Sequence, residues 1–123
     1  METNFNFKSQ ICTSREQSER LLALGLKKET ADMTIHDEFG ISTIFGVDYS
    51  TYVQLHKEQG YTELFFEKTH PAWSLHRLII LCGNIACDWI FRNDDCYTNA
   101  INCIEWLIKE GYFNKEYLEN GNC

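Results

Sequence analysis

Apolar residues recur at helical spacing in three stretches of the chain, and between these stretches they cluster with β-branched and aromatic neighbours. The first helical stretch spans about Ser14 to Leu24, with Leu21, Leu22 and Leu24 as its apolar face. Thr13 reads as its N-cap and Glu16, three residues on, completes a capping-box pattern. Glu16 and Arg20 stand four apart with the acid first, the favoured order on a helix. Gly25 falls where a left-handed residue ends a helix, with Leu26 placed to make the accompanying apolar contact. Lys28 to Asp32 reads as one further helical turn.

The next segment, 33–48, reads as a hairpin. Met33 to His36 runs into the turn cluster Asp37-Glu38-Phe39-Gly40, and Ile41 to Val47 is rich in strand-forming residues. Residues 49–59 carry Tyr52, Val53, Leu55 and His56 at spacings that fit a short helix ended by Gly60. Tyr61 to Glu67 reads as a strand. A second firm helix is expected from Pro71, since proline suits the first helical turn. Ala72, Leu75, Leu78, Ile79 and Cys82 form its apolar stripe and Gly83-Asn84 stops it. Residues 85–92 read as a strand, with Asn93-Asp94-Asp95 as a turn that caps the third firm helix, Cys96 to Glu110. Gly111 ends that helix, and the tail is expected to fray after Leu118. Residues 1–12 read as a loosely held lead-in, with Phe5 and Phe7 alternating as in a short edge strand. The pattern predicts an α+β fold: one domain over 1–123, with a small, mainly antiparallel sheet packed against about three helices.

Length and composition agree. A chain of 123 residues, 44 % hydrophobic and 14 % aromatic, has material for one packed core. No run of 18 apolar residues exists, so no membrane-spanning helix is expected. Met1 to Gln10 lacks the pattern of a secretory signal, which points to the cytoplasm. The six cysteines, Cys12, Cys82, Cys87, Cys96, Cys103 and Cys123, then read as reduced thiols, mostly buried.

The net charge of −7 is unevenly distributed. Residues 32–67 hold one basic and seven acidic groups, whereas residues 1–31 hold five basic and four acidic. Without a basic stripe, direct nucleic-acid binding is not expected. A basic protein is the better-matched partner, with Asp37, Glu38, Asp48, Glu58, Glu63 and Glu67 as its acidic docking face.

Candidate chemistry is sparse. Cys82 and Cys87 are separated by four residues with His70 and His76 upstream, but no second cysteine pair completes a zinc knuckle, so no metal site is expected. Ser74 and His76 stand two apart on a predicted helix and face different ways. Asp94-Asp95 has a sufficient role as a helix cap, and Gly40 and Gly46 lack the context of a phosphate loop. No catalytic residue or cofactor is therefore assigned. An enzyme with an unfamiliar site would draw on His36, Asp37, His56 or Cys87. A structural protein pairing through an edge strand is the other alternative, as monomer or homodimer.

The strings Thr13-x-x-Glu16-Gln17-Ser18, Leu24-Gly25-Leu26, Thr30-Ala31-Asp32-Met33, Pro71-Ala72-Trp73-Ser74-Leu75 and Glu105-Trp106-Leu107 appear in order along the chain. In these the chain resembles small orphan proteins of bacterial prophages and mobile elements. Residues 34–69 are longer and more β-rich than that pattern. The resemblance implies an origin and no activity. A small acidic phage protein without a catalytic signature is similar in size and charge to anti-defence inhibitors, including those of CRISPR effector nucleases. The expectation is thus a non-enzymatic inhibitor of a basic, nucleic-acid-handling host enzyme.

Overall fold

In the computed structural model, which describes residues 10–119, the chain order is α1 (Arg15–Ala23), β1 (Met33–Glu38), β2 (Ile41–Phe45), α2 (Tyr49–Glu58), α3 (Glu63–Phe66), β3 (Thr69–Ala72), α4 (Leu75–Cys82), α5 (Ala86–Ile90) and α6 (Cys96–Lys109). Short 3-10 turns lie at Lys28–Thr30, Gly83–Ile85 and Lys115–Tyr117. The fold class is α+β, as the sequence predicts. The three strands form one antiparallel sheet in the order β2-β1-β3. The expected strand around Phe5 and Phe7 lies outside the described residues, as does Cys123.

The helical layer holds the larger core. Leu21 of α1, Trp73, Leu78 of α4, and Ala100, Ile101 and Ile104 of α6 are fully buried together. Hydrogen bonds hold Trp73, the residue after β3, to the segments before and after α1. The Trp73 indole N–H donates to Thr30 Oγ1 at 2.9 Å, and the Trp73 amide donates to Thr13 Oγ1 at 3.0 Å. A smaller core of Cys12, Ile35 and Ala72 sits on the sheet face towards residues 10–15. The opposite face is covered from α2 and α3, where Phe65 stacks on His36 and Tyr52 packs on Phe45.

Several boundaries follow the sequence and several do not. The end of α1 has the expected form: Leu26 donates its amide to Leu21 O and Gly25 to Leu22 O, with Gly25 at φ +99. Its start is one residue later than expected. Ser14 is the cap, boxed with Gln17, because the Thr13 hydroxyl is engaged by Ser18 and by the Trp73 amide. Pro71 does not open a helix. It pairs with Thr34 as part of edge strand β3, a position that needs no donor from it. The helix begins at Leu75, where the Ser74 side chain accepts from the Arg77 amide and Asp32 accepts from the Ser74 amide and hydroxyl. On α4 the buried stripe is Leu78, Leu81 and Cys82, while Ile79 and Ile80 face outward.

Two predicted strands are helices. Residues 85–92 contain α5, in which Ala86 and Ile90 are buried four apart and Cys87 and Asp88 between them are exposed. A short apolar run does not by itself separate strand from helix; packing against α6 decides it. Residues 61–67 contain α3, whose single turn delivers Phe65 to the sheet face and to Tyr52, His56 and Tyr61. After α6, Leu118 bridges to Leu26, and Glu119 donates its amide to Gly25 O at 2.7 Å, so the chain is tied back to the end of α1. Among the described residues no helix is long and apolar enough to cross a membrane.

Candidate functional site

The β1–β2 hairpin is the most distinctive surface. Glu38 pairs with Ile41, leaving Phe39 and Gly40 as a two-residue loop. Their φ values are +54 and +74. Positive φ at both central residues matches the twist of the strands and favours Asn, Asp or Gly. Gly40 meets that demand. Phe39 does not, because a bulky residue in the left-handed region is held against a steric cost of about 1–2 kcal/mol. Its ring recovers little of that, for Phe39 is 91 % exposed.

The strand that follows exposes one isoleucine on each face of the sheet. Ile41 is 66 % exposed and Ile44 41 %. Strand β2 is a sheet edge among the described residues, and its sequence Ile-Ser-Thr-Ile-Phe carries no charge and no proline. The usual devices that blunt an exposed edge are missing from it.

The six predicted acidic docking residues divide into three groups. Asp37 and Glu38 are partnered within the chain. Asp37 accepts from the Ser42 hydroxyl, and its Oδ2 lies 3.5 Å from Arg15 Nη1 and 3.3 Å from His70 Nε2. Glu38 lies 3.2 Å from His36 Nε2 and 3.7 Å from Lys68 Nζ. Because successive strand residues alternate, these two carboxylates lie on opposite faces of the sheet. Asp48 caps α2, accepting from the Thr51 hydroxyl at 2.8 Å and the Thr51 amide at 3.1 Å. The Thr51 hydroxyl chiefly holds its carboxyl below the ordinary carboxylate range. Glu58 on α2, Glu63 on α3 and Glu67 just after α3 are exposed and make no ion pair among the described residues.

The four residues considered for unfamiliar chemistry are not brought together as a reacting set. His36 is buried, with Nδ1 2.9 Å from Thr69 Oγ1 and its ring 4.5 Å from that of Phe65. His56 donates from Nδ1 to Tyr52 O and stacks on Tyr52 and Phe65. Asp37 projects to the other face of the sheet. Cys87 is exposed on α5, while Cys82, the other cysteine of the spacing considered for zinc, is buried and donates to Ala100 O. Among the described residues no three His, Cys, Asp or Glu side chains converge as metal ligands.

Sequence reading missed a cavity of about 450 Å³ between residues 10–15 and the open sheet face. Ile11, Cys12, Ile35 and Ile44 supply apolar lining, and Arg15, Asp37 and His70 supply polar groups. Burial, and after it the charge of Asp32, pushes the Cys12 thiol up, so the sulfur is held as neutral thiol. His70 donates weakly from Nδ1 to Pro71 O at 3.4 Å. Its Nε2 is buried and has no hydrogen-bond partner. Asp37 Oδ2, though 3.3 Å away, lies outside hydrogen-bonding direction from it. No local motif announces this cavity, because residues 10–15 meet position 70 only through strand pairing and the Thr13–Trp73 hydrogen bonds.

The surface tryptophans are elsewhere. Trp73 is buried, and the rings of Trp89 on α5 and Trp106 on α6 lie 6.0 Å apart at a tilt of 43°, with the Arg92 guanidinium 3.7 Å over the Trp89 ring. Comparisons with protein-family models, curated proteins and solved structures give no match to this chain.

Proposed function

We propose that the chain is a non-enzymatic binding protein that docks on a basic protein through its β1–β2 hairpin. Phe39 carries this reading. A strained, bulky, solvent-exposed aromatic at a turn position suited to Asn or Gly lowers folding stability, and an observed backbone outlier of this kind supports a functional role. Aromatic anchors dominate protein interfaces. Ile41, exposed two residues on, adds apolar surface beside it on one face of the sheet. Glu58, Glu63 and Glu67, without an ion pair among the described residues, add to a net charge of −7 that attracts a basic partner and raises its on-rate.

The acidic docking face of the sequence reading is narrowed accordingly: Asp37, Glu38 and Asp48 have structural duties, and the three glutamates remain for long-range steering. In line with the resemblance to prophage proteins, the partner is a nucleic-acid-handling enzyme of the host, such as a CRISPR effector nuclease, and the protein acts by occupying its basic surface. The test is affinity capture from host cells with the wild-type chain, F39N and a Glu58/Glu63/Glu67 triple Gln variant, read by mass spectrometry. The expected result is one basic protein captured by the wild type, lost with F39N and made less salt-sensitive by the triple variant. Equal capture by all three would reject the reading.

A further inference from the structure

The outer edge of the sheet carries a row of backbone hydrogen-bonding groups whose pattern is self-complementary. The Asp37 amide donates to Lys68 O on the β3 side of β1. Backbone groups alternate sides along a strand, so Thr34, His36 and Glu38 turn theirs towards β2. The residues opposite them, Phe45, Thr43 and Ile41, turn back to meet them. Ser42 and Ile44 therefore point their N–H and C=O groups away from the sheet, and no other element bonds to these groups among the described residues. Ile41, Ser42, Thr43 and Ile44 are all exposed.

Outward groups placed one residue either side of Thr43 fit a second copy of the same strand. In the antiparallel register centred on Thr43, Ser42 exchanges both its bonds with Ile44 of the second copy, and Ile44 does so with Ser42 of the second copy. Every outward group of the strand is then paired. A register shifted by two residues either way pairs only half of them. The side chains agree with the centred register. Ile41 falls opposite Phe45 of the second copy, and Thr43 opposite its own equivalent, as close non-hydrogen-bonded pairs on the face where Phe45 meets Tyr52. Aromatic–β-branched and threonine–threonine pairs are favourable across strands, and no like charges meet in this uncharged strand. A two-fold axis beside Thr43 relates the copies, as the isologous contact of a closed dimer requires.

We infer that two copies of the chain pair through β2, joining their three-stranded sheets edge to edge into one. This goes beyond the docking of the hairpin tip on a basic partner and does not depend on it. The strand is 5 residues long, so the seam is smaller than the about 800 Å² per partner of a standard interface, and the expected dissociation constant is weak, on the order of 100 µM. The seam is uncharged while each copy carries a net charge of −7, so added salt should strengthen the pairing by screening the repulsion between copies. Docking on a basic partner should weaken with salt instead.

Sedimentation velocity of the full chain from about 5 to about 500 µM tests this, beside amide hydrogen exchange at Ser42 and Ile44. The wild type is expected to pass from monomer to dimer across that range, with exchange at these two amides slowing as concentration rises. T43K sets like charges directly opposite each other at the two-fold axis, and T43E does the same, so each should weaken pairing by about 5-fold or more. Thr43 is exposed, so both changes leave the core untouched. An equimolar mixture of the two variants should pair about 5-fold or more tightly than either alone, because opposite charges then face each other at the axis. A wild type that stays monomeric throughout, a pairing that weakens as salt is raised, a T43K variant that pairs as well as wild type, or a mixture no tighter than its components would each overturn the inference.

Discussion

Replacing Phe39 with Asn separates folding from binding at the hairpin tip. Asn tolerates the left-handed region that Phe39 occupies at φ +54, so the change removes a strain of about 1 kcal/mol. Against that stands the lost burial of the ring. A phenylalanine side chain has about 200 Å² to bury, and only a tenth of this residue is covered, so the loss is about 20 Å² or about 0.5 kcal/mol at 25 cal/mol per Å². The net expectation is a gain of about 0.5 kcal/mol, near 2 °C in Tm for a domain of this size. Urea unfolding followed by far-UV circular dichroism measures it, with the m-value unchanged if only the native turn is affected. A stability loss of more than about 0.5 kcal/mol would mean that the ring supports the fold, which would remove the reason for assigning it to a partner.

Three further outcomes follow from the same structure. Asn99 is buried on α6, and its amide nitrogen donates to Ile90 O, Arg92 O and Asp94 O, which fixes the loop between α5 and α6; N99A should cost about 2–3 kcal/mol in the same unfolding assay. Trp73 fills the main core and donates to Thr30, so W73F should cost about 2–3 kcal/mol through a cavity and a lost hydrogen bond, seen as a lower urea midpoint. Asp48 and Asp95 cap α2 and α6, and their threonine hydroxyl bonds hold both carboxyls below the ordinary value of 3.8. A folded pKa below the unfolded one contributes stability that is present above pH 3.8 and lost as pH falls through the lower folded value. The double variant D48N/D95N, which keeps capping side chains but no titrating group, should flatten that acid limb in thermal melts from pH 5 to 2.

The legible parts of the fold are those set by local rules. The hairpin, the glycine stop at Gly25, the Asp95 cap and the long α6 all depend on residues close in sequence. The unread parts depend on distant partners. Thr13 loses its role as a cap to the Trp73 amide, sixty positions away. Pro71 becomes a strand residue because Thr34 pairs with it. Residues 86–90 are too short for their periodicity to outweigh an apolar composition that also suits a strand, until α6 supplies the surface they cover.

The candidate surface divides the same way. Acidity between residues 32 and 67 is visible in the composition, but the pairing of Asp37 with Arg15 and of Glu38 with Lys68 is not. Phe39 stood in the turn cluster, and its meaning appears only with its backbone angle and exposure.

Site-specific photocrosslinking tests the central claim most directly. Benzoylphenylalanine is placed at position 39, and separately at position 91, where Phe91 is similarly exposed, at 85 %, beyond α5. After irradiation in host cells, the account predicts one discrete adduct with a basic protein from position 39 and none from position 91. A discrete adduct from position 91 alone, or no adduct from position 39, would contradict it.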